Sequence, residues 1–350
     1  MAGGGFRRRG MPLCCAPFAR GRDAAMKHAD WEIPQNLRPD PDDYAFDLER
    51  TLRGLVGLRA NVPADAFTAG SLGTERTGSG AVIREDGLVL TIGYLITEAE
   101  SIWLVTADGR AVPGHPLAYD QTTGLGLVQA LGRLGLPVLE LGEADAPRTG
   151  ATTIVAAGGG GRERAVEAKV IGRQEFAGYW GYLLDEAILT APAHPFWSGA
   201  AVLGADGRLV GIGSLIMQQG NGRGQRHDLN MSVPTSLLPP IMDDLLTIGR
   251  VNAPPRPWLG AFVMEGEGGL IVGGLTDDGP AERAGVRAGD RVTGIGGEEV
   301  PDLATLWRRL WASGPAGVTV RLNLSRDGNE LAVHVATADR ATFLRRPRLH

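Results

Sequence analysis

Between residues 78 and 233 the apolar positions come in short runs cut by glycine-bearing turns: Ala81-Val-Ile, Leu88-Val-Leu, Ile102-Trp-Leu-Val, Leu125-Gly-Leu-Val, Thr153-Ile-Val, Ala168-Lys-Val-Ile, Ala201-Val-Leu and Leu209-Val-Gly-Ile. Runs this short and this closely spaced predict strands. Asp108-Gly109 and Asp206-Gly207 stand between runs as hairpin turns, so the pattern predicts an antiparallel barrel or sandwich. A parallel α/β sheet is disfavoured, because no helix-length pattern separates the strands. Upstream, Phe46, Leu48, Leu52 and Leu55 lie at near-helical spacing and predict one amphipathic helix, or a docking arm, over 43–58. Residues 236–249 predict a helix with an early proline pair that Gly249 ends. Residues 250–257 contain Asn252-Ala-Pro-Pro-Arg-Pro257 and predict a stiff linker. The segment 258–338 mixes strands around Leu270, Arg291, Val318–Leu324 and Glu330–Val335 with a helix near Asp302–Trp311, a compact α+β module.

Composition narrows the function classes. The chain has 350 residues, which at ~150 residues per domain is room for two units. Its 43% hydrophobic and 21% charged content is that of a globular protein. A net charge of −5 supplies no cationic field, so nucleic acid is not expected as a partner. No apolar run reaches the ~18–20 residues of a membrane span. The two cysteines, Cys14 and Cys15, are adjacent near the start, which leaves no disulfide framework and no cysteine metal cluster. Gly158–Gly161 lacks the Lys-Ser or Lys-Thr pair of a phosphate loop, so neither metal nor cofactor is expected.

The ends read differently. Arg7, Arg8, Arg9, Arg20 and Arg22 flank or precede an apolar stretch from Met11 to Ala19 with no acid among the first 22 residues. A secretory leader is one reading of this, but the stretch is short and holds two prolines. The expected location is therefore cytoplasmic, with the periplasm as the alternative if the segment acts as a signal. Residues 1–42 are expected to form a flexible segment, and 339–350 a solvated basic tail.

Two sets of residues carry a family resemblance. In the C-terminal unit, Trp258-Leu-Gly-Ala261 and the run from Gly279-Pro-Ala-Glu-Arg-Ala-Gly285 to Val292 resemble a bacterial PDZ domain. Upstream, Gly78-Ser-Gly-Ala-Val-Ile83, Asp86-Gly-Leu-Val-Leu-Thr91, Asp108-Gly-Arg110 and Leu139-Glu-Leu-Gly142 resemble, in order, landmarks of the HtrA/Deg serine-protease family. The resemblance spans residues 43–337. It implies a mostly β protein: a chymotrypsin-like double β-barrel with its N-terminal arm over 43–249, the 250–257 linker, and a small α+β PDZ domain over 258–338.

The family resemblance also implies a Ser–His–Asp triad, since a serine hydroxyl is a poor nucleophile until a base takes its proton and a carboxylate orients that base. Phe196-Trp-Ser-Gly-Ala-Ala201 places Ser198 at the nucleophile position. Thr91-Ile-Gly-Tyr-Leu-Ile96 places Tyr94 where the histidine belongs, and Asp120-Gln-Thr-Thr-Gly-Leu-Gly126 places Gly124 where the aspartate belongs. A phenol with its usual pKa of ~10 is no base at neutral pH, and glycine orients nothing. Phe196 stands where the family has a glycine that lends an oxyanion N–H.

The expected function is that of a pseudoprotease that binds peptide or protein C-termini at Trp258, Leu259, Gly260 and Ala261, in a regulatory or scaffolding role. The alternative is a weakly active serine endopeptidase in which a non-standard base serves Ser198. A third possibility is chaperone-like binding in a former cleft made apolar by Tyr94, Phe196 and Trp197. His194, close to Ser198 in sequence, reads as an exposed loop residue, as do His115 and His227, while His334 reads as structural. The apolar residues within 43–60 are expected to support a homo-trimer, or a hetero-oligomer with an active relative.

Overall fold

A computed structural model describes residues 32–143, 147–220 and 226–345. The expectations that concern Cys14, Cys15 and the arginine-rich start lie outside the described residues. The first barrel closes in the order β1-β2-β3-β6-β5-β4. Its strands are β1 (Leu55–Asn61), β2 (Glu75–Val82), β3 (Leu88–Ile92), β4 (Ser101–Val105), β5 (Ala111–Tyr119) and β6 (Leu125–Ala130). Helix α1 (Leu48–Arg53) precedes it, and the single turn α2 (Ala69–Leu72) lies between β1 and β2. The second barrel closes as β10-β11-β12-β9-β8-β7. It comprises β7 (Thr152–Ala156), β8 (Ala165–Gly178), β9 (Tyr182–Ala191), β10 (Ala201–Leu203), β11 (Leu209–Gly220) and β12 (Arg226–Pro234), followed by helix α3 (Met242–Ile248).

The C-terminal unit is one sheet, ordered β13-β14-β15-β17-β18, with β16 (Glu298–Glu299) paired to β15. Strand β13 (Ala261–Gly266) is an edge; β14 (Gly269–Leu275), β15 (Arg291–Ile295), β17 (Thr319–Arg326) and β18 (Asn329–Ala336) complete it. Helices α4 (Pro280–Arg283) and α5 (Leu303–Ala312) cover it, and the fully buried Trp307 of α5 anchors its core. Buried Asp290 receives a two-pronged contact from Arg326 at 2.6 and 2.7 Å, plus the Arg287 N–H, which together fix the turn into β15.

Several expectations are corrected. The helix expected over 43–58 is only six residues: Asp47 caps it, Gly54 ends it, and Leu55–Asn61 pairs with β2 as a strand. Leu48, Leu52, Leu55 and Leu58 are buried in this chain's own core, while Phe46 is only partly buried against it. Within the N-terminal segment expected to be flexible, residues 32–43 form two 3-10 turns, and Ile33 is buried against Val155, Val166 and Val202 of the second barrel. The described part of the expected tail, residues 339–345, also docks. Phe343 packs against Phe67 and Trp258 at ring distances of 5.7 and 5.0 Å, and Arg345 pairs with Asp65. Glu98 takes a left-handed backbone (φ 60°), and its carboxylate accepts from the N–H groups of Phe67, Thr68 and Arg345 and from the Thr68 hydroxyl. Burial raises its pKa, yet these donors outweigh burial and hold it below the ordinary value.

Candidate functional site: a cleft between the barrels and a sheet edge

Tyr94 and Ser198 come together from different barrels. Tyr94 sits on a 3-10 turn (Gly93–Leu95) that follows β3, and Ser198 in the turn before β10. The barrels are fastened at this point: the Ser79 N–H of β2 donates to the Ser198 carbonyl at 2.9 Å, and the Ser79 hydroxyl accepts from Gly158 N–H. Gly199 (φ 72°) is required here, since a Cβ would lie 2.1 Å from the Ser79 carbonyl.

The Tyr94 hydroxyl lies 2.8 Å from Ser198 Oγ and 2.9 Å from the Ser214 carbonyl oxygen. A phenol carries one proton and a carbonyl can only accept. When Tyr94 serves Ser214, Ser198 is therefore the donor toward the phenol oxygen. Burial pushes the Tyr94 pKa well above its ordinary value, and the contacts with Ser198 and Trp197 offset this only in part. At neutral pH the group is a neutral phenol, which cannot keep the serine proton.

Gly124 adjoins the Tyr94 turn: its carbonyl accepts from Gly93 N–H at 2.7 Å. Its backbone is left-handed (φ 82°), and a Cβ would meet the Tyr182 hydroxyl at 3.0 Å. That hydroxyl donates to the Thr123 carbonyl at 2.6 Å, so Tyr182 of β9 stands where a side chain on Gly124 would go.

His194 is fully buried, which corrects the expectation of an exposed loop residue. Asn230 clamps its backbone from both sides, accepting its N–H at 2.6 Å and donating to its carbonyl at 3.1 Å. Its Nδ1 accepts from Phe196 N–H at 3.0 Å, and its other ring nitrogen lies 3.0 Å from the Arg164 carbonyl. Both nitrogens are thus engaged away from Ser198, and burial lowers the pKa to about 4. The Phe196 N–H is thereby committed to this imidazole. His115 and His227 lie on β5 and β12, not on loops.

At the sheet edge, the 258–261 turn is pinned by its carbonyls. Leu259 C=O accepts from Ala281 N–H and Gly260 C=O from Thr276 N–H, both at 2.8 Å, while Trp258 exchanges bonds with Ala338. Gly260 is left-handed (φ 70°). Among the described residues no group accepts from the Leu259 or Gly260 N–H. The turn thus offers main-chain donors at the head of β13, a geometry suited to an anion or a carboxylate. Among the described residues no group of histidine, cysteine and carboxylate side chains could hold a metal, and no helix is long and apolar enough to cross a membrane.

Sequence reasoning missed Tyr182, the His194–Phe196 bond, and the Tyr179, Val263 and Trp307 contacts considered further on. All but the His194–Phe196 bond, which spans two residues within a turn, are pairings across tens of residues with no local signal.

Comparison with known proteins agrees with this layout. Residues 78–212 match the trypsin-like peptidase domain and 257–337 the PDZ domain. The chain is 23% identical over 320 residues to the serine protease Do-like HtrA of Bacillus subtilis, covering 83% of this chain and 70% of that protein. It is 26% identical over 282 residues to the periplasmic pH-dependent serine endoprotease DegQ of Escherichia coli, covering 77% and 60%. A similar match is to the probable periplasmic serine endoprotease DegP-like of Halomonas elongata, 26% identical over 75% of this chain and 56% of that one. The chain thus spans little more than half the length of some of its relatives. The solved HtrA-type protease AlgW with decapeptide shares the fold, with a TM-score of 0.50 at 22% identity over 86% of this chain and 98% of that one. This chain is a trypsin-like peptidase domain followed by one PDZ domain, and its homologues are the HtrA/DegP serine proteases.

Proposed function

We propose that the peptidase domain of this HtrA/DegP-like protein no longer hydrolyses peptides, and that its PDZ domain binds peptide or protein C-termini in a regulatory role. The observation that carries this reading is the contact of Ser198 Oγ with a buried neutral phenol at 2.8 Å. Three requirements of acyl transfer are affected together. Tyr94 cannot accept the serine proton, Gly124 has no carboxylate to orient a base, and the Phe196 N–H is bound to His194. For the PDZ domain, the support is the pair of uncommitted N–H groups at Leu259 and Gly260 beside an edge strand.

The test is fluorophosphonate labelling of the purified protein beside Ser198→Ala, with casein hydrolysis followed over pH 6–9. The expected result is no label and no cleavage in either protein. Labelling and cleavage that vanish in the Ser198→Ala variant would establish an active hydrolase instead. The double variant Tyr94→His, Gly124→Asp is expected to stay unlabelled as well, because an aspartate at 124 needs a left-handed backbone and meets the Tyr182 hydroxyl.

A further inference from the structure

The edge strand of the PDZ sheet already has a partner. The hairpin joining β8 to β9 turns at Gly178–Gly181 and reaches into the angle between β13 and α5. There the Tyr179 carbonyl accepts the outward Val263 N–H at 2.8 Å, and the Gly178 carbonyl accepts the indole N–H of Trp307 at 3.0 Å. Ala177 packs against the PDZ core, and the Tyr179 ring lies 6.1 Å from that of Phe262. Arg308, one residue beyond Trp307, pairs with Glu175 and with Asp185 on the two arms of the hairpin.

An added strand needs main-chain donors on the edge it joins, and outward N–H groups recur every second residue. A peptide whose carboxylate sat at the Leu259 and Gly260 amides would run along β13 and require the Val263 N–H. Tyr179 holds that N–H. We infer that residues 177–180 of the protein's own second barrel are the resident ligand of the PDZ groove, so that a peptide C-terminus enters only when this hairpin tip withdraws. The competition part rests on reading the groove as the peptide site; the seated hairpin does not.

Part of what holds the tip can be broken without touching β13. Arg308, Glu175 and Asp185 are all substantially exposed, and ion pairs of this kind are weak and screened by salt. The aromatic residues of the hairpin also support one another: Trp180 stacks on Tyr182 at 5.6 Å and meets Tyr179 edge-on at 5.0 Å. A withdrawn tip would therefore keep its shape.

The experiment uses the full chain, wild type and Ala177→Glu, with Arg308→Glu as a second variant that sets three acids against one another. Ala177→Glu drives a carboxylate against the PDZ core from the barrel side and leaves the groove intact. Two readouts are taken. One is the affinity for a pool of random heptapeptides with free C-termini, beside the same pool amidated. The other is hydrogen exchange of the Val263 amide without peptide, with circular dichroism confirming that each variant is folded. We expect both variants to exchange Val263 at least tenfold faster than wild type, and Ala177→Glu to bind the free-acid pool at least tenfold more tightly. Measurable peptide affinity that is equal in wild type and Ala177→Glu would overturn the inference. So would Val263 exchange that is equally fast in all three proteins. Faster exchange in the variants with no peptide bound by any protein would support the seated hairpin and overturn the peptide-binding reading.

Discussion

At Ser198 and at Val263 alike, groups that a substrate or peptide would use are engaged by the chain's own atoms, but from opposite directions. In the cleft the closing groups are Tyr94, Tyr182 and His194, fixed inside or between two barrels and tied to backbone groups there. In the groove the closing group is the tip of one hairpin, secured by two main-chain carbonyls and an exposed set of charges. A site filled from a packed interior reopens only when the barrel comes apart. A site filled by a hairpin tip reopens at the cost of local contacts alone. The contrast makes the cleft a permanent feature of the fold and the groove a conditional one.

The largest expected effect belongs to the cleft. Gly199→Ala forces a Cβ to within 2.1 Å of the Ser79 carbonyl on a left-handed backbone. It should cost about 3 kcal/mol or more in urea unfolding, with the peptide affinity of the folded fraction unchanged. A tolerated alanine would show that the cleft is softer than described.

Next is a pH effect confined to the cleft. His194 has its pKa lowered by burial from 6.5 to about 4, so the unfolded chain binds its proton first as pH falls. Its contribution is complete above about pH 6.5 and is lost down to about pH 4, a total of about 3 kcal/mol. Urea midpoints at several pH values across that window should fall accordingly, and His194→Gln should flatten the slope. The depressed carboxyls of Glu98 and Asp290 act only lower, below about pH 4.5.

The smallest effect belongs to the groove. Arg308→Ala removes exposed ion pairs to Glu175 and Asp185 and should cost less than about 1 kcal/mol of global stability, a difference that shrinks in high salt. A cost as large as that of Gly199→Ala would erase the distinction between the two sites.

Much of this was legible from local pattern. The strands bounded by Asp-Gly turns, the α5 helix and the matched positions of Ser198, Tyr94 and Gly124 follow from short segments whose neighbours in sequence decide their structure. Four barrel strands were not: β1, whose Leu55 continues the helical spacing of Leu48 and Leu52, and three others. β5 carries Pro113, Gly114 and Pro116, breakers that normally argue against a strand, and is accommodated by a register shift between Pro116 and Ala118. β9 bears Asp185 and Glu186 mid-strand, and the start of β12 is polar and exposed, so neither shows the apolar run that marks a strand. Barrel closure imposes them, with tertiary pairing overriding local preference. In the cleft, the motifs that carry Ser198, Tyr94 and Gly124 were legible, but the residues packed around them were not. Nothing near Gly124 announces Tyr182, 58 residues on, and nothing near His194 announces Asn230.

Glu98 gives the molecule an order of assembly. Its carboxylate belongs to the first barrel, yet one of its donors, Arg345 N–H, lies 247 residues later in the chain. At the ~5–20 residues per second of protein synthesis, the loop around Glu98 emerges roughly 10–50 s before that donor exists. During that interval a strained residue holds a carboxylate one hydrogen bond short. The first barrel is thus made before the second barrel and the PDZ domain, yet one of its carboxylate's four contacts waits for Arg345.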